Sequence, residues 1–360
     1  MSVQGHRNLY LYLGRRGALT QWMFEIATLT AGTAVIALSR QNECFDRIRA
    51  TGANIIAIDT FNNNLGAVLH SYRIIQLRRL IAESIAKHRI TRIINLMPHI
   101  WTPLLANAIH SAGAQYIVVV HDASPHPGDS TGQVHWWLMR DTLKADHVVA
   151  LSRHVASQLI TRFPHLQPRV TTFFLPSTGP MIGPRPAASD RPLRFLFFGR
   201  ILPYKGIGLF VEACESLRRQ RLRFDISVFG EGELNDRRPR LEAMDATIVN
   251  RWISDSDIAS MMEAHDVIVV PNLEASQSGV ISTAFAAGRP VIVTPVGGLV
   301  EQVDDGRTGL VADVVSGDAI ASQMRRLILS RDLYASLATN VCSEREKMSM
   351  RRFLDALDGI

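Results

Sequence analysis

The chain has 360 residues, of which 47% are hydrophobic and 20% charged. This is the composition of a soluble globular protein, and it excludes disordered, collagen-like and coiled-coil chains. The length suits two domains of roughly 100–200 residues each. The formal net charge is +6, and residues 1–190 hold 18 Lys and Arg against 10 Asp and Glu, while residues 191–360 hold 21 against 23. The basic excess therefore lies in the first half, where an anionic partner would be attracted.

Several classes of protein are excluded by local patterns. The apolar runs are far shorter than the roughly 18 residues that a membrane-spanning helix needs. Arg15 and Arg16 interrupt what would have to be the apolar core of a signal peptide, so we expect a cytoplasmic protein. Cys44, Cys214 and Cys342 are odd in number and widely spaced, which favours reduced packing residues over a disulfide framework or a zinc site.

In the first half, short Val- and Ile-rich runs alternate with stretches of helical period. Sequential strands joined by crossover helices form a parallel, doubly wound sheet of the α/β class. The predicted strands are 9–13, 33–38, 54–58, 90–95, 116–121 and 147–151, with helices at 20–31 and 74–86 among those between them.

A proline-rich segment, 176–192, has five prolines in seventeen residues and no apolar period, and we interpret it as a linker. The predicted domains are therefore 1–175 and 193–360, with a ligand cleft between them and the final helix free to pack back on the first domain. Ligands of such sheets bind at the carboxyl ends of the strands. The second α/β series is predicted to contain strands 193–198, 224–229, 247–249, 267–270 and 291–294, and helices 208–219, 255–264, 278–287 and 319–330.

The loop after strand 193–198 has the composition of an anion site. It contains Gly199, Arg200 and Lys205, so two cations five positions apart lie between a buried strand and a helix. Such a pair suits a diphosphate. The next strand ends in a turn with Gly230 and Gly232, which allows a ligand or another backbone to come close.

A third polar segment follows strand 267–270. Its loop carries Glu274, Ser276 and Gln277, and Ser278 and Gly279 occupy the predicted helix start. Amides and hydroxyls at a helix start hold phosphate oxygens, and a carboxylate such as Glu274 accepts hydrogen bonds from sugar hydroxyls.

These segments resemble the retaining family 4 glycosyltransferases (glycosyl transferases group 1) of the GT-B fold, in the branch with EASQSG. The resemblance rests on FFGRILPYKGIGLFVEA, SVFGEGEL and EASQSGVISTAFAAGRPVIVTPVGGLVEQVDDGRTGLVA, which cover residues 193 to about 313. It implies two tandem Rossmann-like domains, with Arg200 and Lys205 on the donor diphosphate and Glu274 in the donor-sugar loop.

The resemblance also implies an activity. The protein would move a sugar from a nucleotide-diphosphate-sugar donor to a saccharide or lipid-linked saccharide acceptor, with retention and without a metal or other cofactor. The implied setting is the synthesis of a bacterial surface polysaccharide.

The sequence departs from the family at one position. The family commonly has a second glutamate after seven intervening residues, which holds the ribose. Depending on the alignment, Ser282 or Thr283 stands there. Either a hydroxyl replaces the carboxylate, or the ribose is held by other groups.

The first half offers two further candidates. Gly14 and Gly17 follow the first strand and resemble the family's glycine loop, although two glycines suit any Rossmann-like domain. His121 ends the fifth strand and resembles a histidine that contacts the donor sugar. The alternative is a histidine satisfied by backbone groups, and His126 is a weaker candidate for the same role.

Three patterns have simpler interpretations. Asp255 and Asp257 form the DxD pattern of manganese-dependent enzymes, but they also suit the acidic first turn of a helix. Trp136 and Trp137 could form an acceptor or membrane patch, although helix aromatics usually pack in a core. An anionic membrane surface is a further expected partner, and the arginines that could face it are Arg15, Arg16, Arg73, Arg78 and Arg79.

Other functional classes remain open. A nucleotide-sugar epimerase shares the fold and would release nucleotide and sugar without an acceptor. A non-catalytic nucleotide-sugar-binding protein would fit the missing second glutamate. We expect no nucleic-acid partner, because the basic half has no aromatic stacking pattern or known module.

Overall fold

The computed structural model describes residues 6–61, 72–125, 134–185 and 191–360. Candidate His126 and residues 186–190 of the predicted linker lie outside these ranges. The described residues form two compact units. The first unit contains the described residues up to Phe174 together with Phe353–Ile360, and the second contains those of Leu175–Arg352.

The first unit is built on a seven-stranded sheet in which every pairing is parallel, in the order β3-β2-β1-β4-β5-β6-β7. Its central strands are buried along their whole length, as expected for a sheet covered on both faces. The strands are β1 (Asn8–Tyr12), β2 (Val35–Ser39), β3 (Asn54–Ile58), β4 (Arg92–Asn95), β5 (Gln115–Val120), β6 (His147–Ala150) and β7 (Val170–Thr172).

Helices connect these strands. The described α-helices are α1 (Ala18–Leu29), α2 (Phe45–Arg49), α3 (Arg73–His88), α4 (Ala106–Ser111), α5 (His135–Lys144) and α6 (Arg153–Arg162), with 3₁₀ turns at Thr102–Leu104 and Pro164–Arg169. Helix α6 begins at Ser152, whose side chain accepts a hydrogen bond from the Val155 amide. Helix α3 ends at Arg89, whose φ of 52° turns the chain in the left-handed conformation that stops a helix.

The second unit contains a six-stranded sheet in the order β10-β9-β8-β11-β12-β13, again with parallel pairing throughout. The strands are β8 (Leu193–Phe198), β9 (Phe224–Phe229), β10 (Thr247–Val249), β11 (Val267–Val270), β12 (Val291–Val293) and β13 (Gly309–Val311). Because strand order reverses between β8 and β11, loops from these two strands share one edge of the sheet.

The described helices of this unit are α7 (Ile207–Arg219), α8 (Arg237–Glu242), α9 (Asp255–Ala264), α10 (Gly279–Ala286), α11 (Leu299–Gln302), α12 (Gly317–Leu329) and α13 (Arg331–Glu344), with 3₁₀ turns at Pro203–Lys205 and Arg345–Met348. Ser316 and Ser330 cap α12 and α13 through hydrogen bonds from Ala319 and Leu333. Helix α14 (Met350–Asp358) starts in the second unit and continues into the first from Phe353.

The two parallel sheets confirm the predicted α/β fold class. The prediction missed the three-residue strands β7 and β13 and gave no range for the helices α8, α11 and α13. Within the described ranges, no helix is both long and apolar enough to cross a lipid bilayer.

The described parts of the predicted linker belong to the second unit, where Asp266 anchors them. This carboxylate is fully buried and accepts hydrogen bonds of 2.6 and 2.7 Å from Arg191, with Arg185 3.4 Å away. Burial alone would raise the pKa of Asp266, but the hydrogen bonds from Arg191 and from the Arg194 amide hold it below the ordinary value. A network of this kind fixes the segment on the domain.

Candidate active site

The candidate residues of the second unit lie where β8 and β11 end. These strands are hydrogen-bonded neighbours, with Phe195 paired to Val267 and Leu196 to Ile268. The loop after β8 carries the two predicted cations, and the loop after β11 leads into α10. Two loops at adjacent parallel strand ends form one polar surface.

The loop after β8 is held by the loop after β9. The Gly199 amide donates to the Phe229 carbonyl at 3.0 Å, and the Ile201 amide donates to the Glu231 carbonyl at 2.8 Å. A Cβ on Gly230 would lie 1.8 Å from the Gly199 carbonyl oxygen, and one on Gly232 would lie 2.3 Å from the Ile201 oxygen. The sequence allowed either a ligand or another backbone segment to come close to these glycines. Among the described residues, the close contacts are with backbone.

Arg200 is exposed, and Lys205 lies half-buried at the end of the 3₁₀ turn Pro203–Lys205. The Lys205 ammonium is 4.9 Å from the centroid of the Tyr204 ring, a cation–π contact that orients the side chain. The Tyr204 carbonyl accepts a hydrogen bond of 2.8 Å from the Leu273 amide. The backbone beside Lys205 is thus joined directly to the loop after β11.

The loop after β11 presents side chains of different exposure. Glu274 is exposed, Ser276 is buried and Gln277 is half-buried. Ser278, the residue before the first turn of α10, is 1% exposed, and its hydroxyl has no hydrogen-bond partner among the described residues. The amide of Ser278 donates to the Gln302 side chain at 2.7 Å, so the backbone at this helix start is fixed, while no described group bonds to the buried hydroxyl.

The start of α10 lies beside the β8 loop. A Cβ on Gly199 would lie 3.4 Å from a methyl carbon of Val280, in the first turn of α10. The positive end of the helix dipole, the Ser278 hydroxyl and the arginine that follows Gly199 therefore belong to one neighbourhood. Amides at a helix start and nearby cations bind phosphate groups.

Ser282 and Thr283, the predicted substitutes for the second glutamate, differ in the structure. The Ser282 hydroxyl donates to the Pro176 carbonyl at 2.5 Å and accepts from the Thr178 amide at 3.2 Å, and the residue is 3% exposed. The hydroxyl thus holds the segment before β8, which corrects the prediction that it is available to a ribose. Thr283 is half-buried and donates to the Gly279 carbonyl at 3.0 Å, so it can still accept a hydrogen bond.

The predicted glycine loop of the first unit lies between β1 and α1. Gly14 is covered by the Tyr12 ring, since a Cβ there would lie 2.3 Å from the Tyr12 hydroxyl oxygen. Gly17 precedes α1 with a φ of 104°, and its amide donates to Glu43 at 3.0 Å. The backbone conformation favours glycine at Gly17, and a side chain at Gly14 would have to displace the Tyr12 ring.

His121 follows β5 and is partly buried. Its Nε2 lies 2.9 Å from the Leu96 carbonyl oxygen. Burial lowers the pKa of His121 below the ordinary value, whereas the nearby Asp122 carboxylate opposes this shift. A neutral ring that donates from Nε2 carries its lone pair on Nδ1, so His121 keeps an acceptor for a ligand hydroxyl even though one nitrogen is bonded to the backbone.

The DxD pattern occupies the first turn of α9, as the helix-start interpretation predicted. Arg251 forms an ion pair of 3.0 Å with Asp257, and its hydrogen bond lowers the pKa of that carboxylate. Across the part of the chain that the structure describes, no three His, Cys, Asp or Glu side chains are grouped as metal ligands would be.

Of the two tryptophans, Trp137 is half-buried and donates from Nε1 to the Ile100 carbonyl at 2.8 Å. Trp136 is 63% exposed, so the core interpretation was wrong for this residue.

Two residues of the site could not be found by sequence reasoning. Gln302 holds the backbone at Ser278 from 24 residues away, and Asn250 bonds both the amide and the carbonyl of Gly232 from 18 residues away. Gln302 lies within one of the segments that carry the resemblance and Asn250 lies outside them, but their contacts arise only when separate loops meet at the sheet edge.

Comparisons with known proteins cover the part of the chain that carries these residues. Residues 192–330 match the family described as Glycosyl transferases group 1. The chain is 27% identical over 179 residues to the alpha-D-kanosaminyltransferase of Streptomyces kanamyceticus, which covers 48% of this chain and 45% of that protein. It is 27% identical over 250 residues to the GDP-mannose-dependent alpha-(1-6)-phosphatidylinositol monomannoside mannosyltransferase of Mycolicibacterium smegmatis, covering 62% of this chain and 64% of that protein.

The sequence matches therefore span less than two thirds of either relative. In structure, the chain is similar to Anabaena HepE in complex with UDP and glucose, with a TM-score of 0.73, 15% identity and coverage of 99% of this chain and all of that one. This likeness shows the fold. The chain has the GT-B fold, and its residues 192–330 are similar to the glycosyl transferases group 1 family.

Proposed function

We propose that this protein is a glycosyltransferase that takes a sugar from a nucleotide-diphosphate-sugar donor. One observation carries the proposal. The loop with Arg200 and Lys205 lies against the start of α10, where the buried Ser278 hydroxyl has no hydrogen-bond partner among the described residues. Cations, helix amides and a buried hydroxyl that lacks a partner among the described residues together suit a diphosphate.

The chemistry follows from the charge that develops in the reaction. As the bond between the sugar and the diphosphate breaks, negative charge accumulates on the leaving oxygen. Arg200, Lys205 and the start of α10 stabilise that charge, so the proposed reaction needs no metal. In the retaining reaction that we propose, the acceptor hydroxyl attacks from the face that the diphosphate leaves, and its proton goes to the leaving phosphate.

Two further side chains are assigned to the donor sugar. Glu274 is exposed in the loop before α10, where a carboxylate can accept hydrogen bonds from sugar hydroxyls. His121 offers Nδ1 as an acceptor when its Nε2 donates to the Leu96 carbonyl. Neither is proposed as a covalent nucleophile.

For the acceptor we propose a saccharide or a lipid-linked saccharide, in the synthesis of a bacterial surface polysaccharide. The name of one relative supports this class, since that protein acts on a phosphatidylinositol monomannoside, which is a lipid-linked saccharide.

The beginning of helix α3 and the residue before it support a lipid-linked acceptor, because apolar and basic side chains are exposed there together. Tyr72 and Ile75 are 57% and 60% exposed, and Arg78 and Arg79 are exposed on the next turn. Arg73 is less accessible, because it donates to the Thr60 carbonyl at 3.4 Å. We propose that this surface binds the cytoplasmic face of an anionic membrane, where each arginine contributes about 1 kcal/mol.

The donor is tested with purified protein and a panel of UDP-, GDP- and ADP-sugars. A specific donor should raise the melting temperature, by mass action on the folded state, and should be hydrolysed slowly without an acceptor. EDTA should change neither the rise in melting temperature nor the rate of hydrolysis. If no nucleotide sugar shifts the melting temperature, the proposed function is wrong, and release of free nucleotide and an epimerised sugar would identify an epimerase instead.

The membrane surface is tested by sedimentation with anionic and neutral vesicles at two salt concentrations. The protein should pellet with anionic vesicles and be released as ionic strength rises. The double variant Arg78→Gln/Arg79→Gln should bind less, while Arg219→Gln, an exposed arginine at the end of α7, serves as the matched control. Equal binding of both variants would show that α3 is not the contact.

A further inference from the structure

Three aromatic rings of the first unit lie in sequence from helix α14 to His121. The Trp22 ring on α1 is tilted 46° against the His121 ring, with centroids 5.5 Å apart. The Trp22 ring also contacts the Phe353 ring of α14, with centroids 5.4 Å apart and the ring planes inclined by 59°. Trp22 is 2% exposed and Phe353 is fully buried. The rings therefore cannot shift independently in a close-packed interior.

Phe353 is itself held from several sides. Phe173 and Phe174 contact its ring with centroids 5.7 and 6.2 Å away. At the other end of α14, the buried Arg92 donates to the Leu357 carbonyl at 2.9 Å and to the Asp358 carboxylate at 2.8 Å. The part of α14 from Phe353 to Asp358 is thus held to the first unit at both of its ends.

Among the residues that the structure describes, two contacts restrain the His121 ring. Its Nε2 bonds to the Leu96 carbonyl, and its ring packs against Trp22. The neighbouring charge that acts on it is Asp122. A single hydrogen bond leaves the ring free to rotate about the axis of that bond, so the Trp22 contact is what sets the direction of Nδ1.

We propose that Trp22 is a positioning residue for His121, and that Phe353 of helix α14 holds Trp22 in place. The role of His121 toward a donor rests on the proposed function. The orientation of the His121 ring does not depend on that function and can be tested separately. A well-directed Nδ1 can accept a hydrogen bond from a ligand without first losing rotational freedom.

The experiment compares Trp22→Leu and Phe353→Leu with Leu357→Ala in the full-length protein. Leu357 is fully buried on the same helix but takes no part in the ring contacts, so its truncation controls for a weakened helix. The imidazole nitrogens of His121 are observed by long-range proton–nitrogen NMR, with His121→Gln to assign the signal. A donor identified by the panel is then used to measure kcat and KM.

Both ring variants should shift the His121 signals and move its imidazole pKa toward the ordinary value, whereas Leu357→Ala should leave them unchanged at a similar loss of melting temperature. Transfer should fall by about 10-fold in kcat in the ring variants, with KM little changed, because a misdirected group costs rate more than affinity. Trp22→Phe, which keeps an aromatic ring, should recover part of the rate.

Unchanged His121 signals in folded Trp22→Leu and Phe353→Leu proteins would overturn the inference. The His121 imidazole signals are measured without substrate, so this inference can be tested even if the proposed function is wrong. A signal that moves equally in Leu357→Ala would also overturn it, because the effect would then belong to the helix as a whole.

Discussion

Gly206 lies directly against the carbonyl oxygen of Pro271, so that a Cβ on Gly206 would come within 1.9 Å of it. Gly206 has a φ of 68° and begins α7, and Pro271 begins the loop that carries Glu274. This contact joins the two halves of the candidate diphosphate site. Neither loop can move without the other at this point.

We therefore expect Gly206→Ala to disturb both loops, and Gly32→Ala is its matched control. Gly32 also has a positive φ, of 81°, but a Cβ there would meet no atom within 4 Å. Gly32→Ala should cost only the strain of the left-handed backbone, about 1–2 kcal/mol. Gly206→Ala should lower the free energy of unfolding further and weaken nucleotide binding, as measured by urea denaturation and calorimetry. Equal losses would mean that the backbone contact is unimportant.

The two cations after β8 give a direct prediction of rate. Arg200→Ala and Lys205→Ala should each reduce kcat by about 10²-fold, because each removes a charge that stabilises the departing diphosphate. Arg219→Ala, at the far end of α7, should retain the wild-type rate. Circular dichroism checks that all three variants are folded. Wild-type turnover in the first two would remove them from the site.

Two serines of the α10 region should respond in opposite ways. Ser278→Ala removes a hydroxyl with no partner among the described residues, so the melting temperature of the free protein should hold while nucleotide affinity falls by about 10-fold. Ser282→Ala removes the bonds to Pro176 and Thr178, so stability should fall by about 1–3 kcal/mol. Thermal melts with and without nucleotide separate the two effects, and the reverse pattern would contradict the assignment.

A buried carboxylate of the first unit makes stability depend on pH. Asp141 is fully buried, and burial raises its pKa to about 7 against the hydrogen bonds of Thr102 and Tyr116. The folded protein then keeps a proton at Asp141 that the unfolded chain releases near its ordinary pKa of 3.8.

Between about pH 4 and pH 7 the folded state binds more protons than the unfolded state, so the contribution of Asp141 to stability decreases as pH rises. Relative to Asp141→Asn, the wild type should lose about 2–3 kcal/mol between pH 5 and pH 8. Urea denaturation at the two pH values measures this. A constant difference between the proteins would show that Asp141 titrates normally.

Much of the fold could be predicted because its signals are local. The Val- and Ile-rich run of β11 and the polar loop before α10 are both visible in about ten residues. Strands β7 and β13 were missed, whereas β10 and β12, which are equally short, were predicted. β7 (VTT) has only one apolar residue and β13 (GLV) begins with glycine, so neither shows as a Val- and Ile-rich run. The role of Ser282 was mispredicted for another reason. Its partner Thr178 is 104 residues away, and nothing near Ser282 in the sequence indicates which backbone amide will need its hydroxyl.

The hydrogen bonds of Arg92 to α14 join residues that are synthesised at very different times. Arg92 is fully buried, and the carboxylate of Asp358 that it contacts is made 266 residues later. At roughly 5–20 residues per second, a ribosome needs roughly 13–53 s to cover that interval. During this time Arg92 lacks both the Leu357 carbonyl and the Asp358 carboxylate that it contacts in the complete protein. Residues Leu175–Arg352 of the second unit are all made before Phe353–Ile360 of the first. The unit whose synthesis begins first is therefore the one that receives its last residues last.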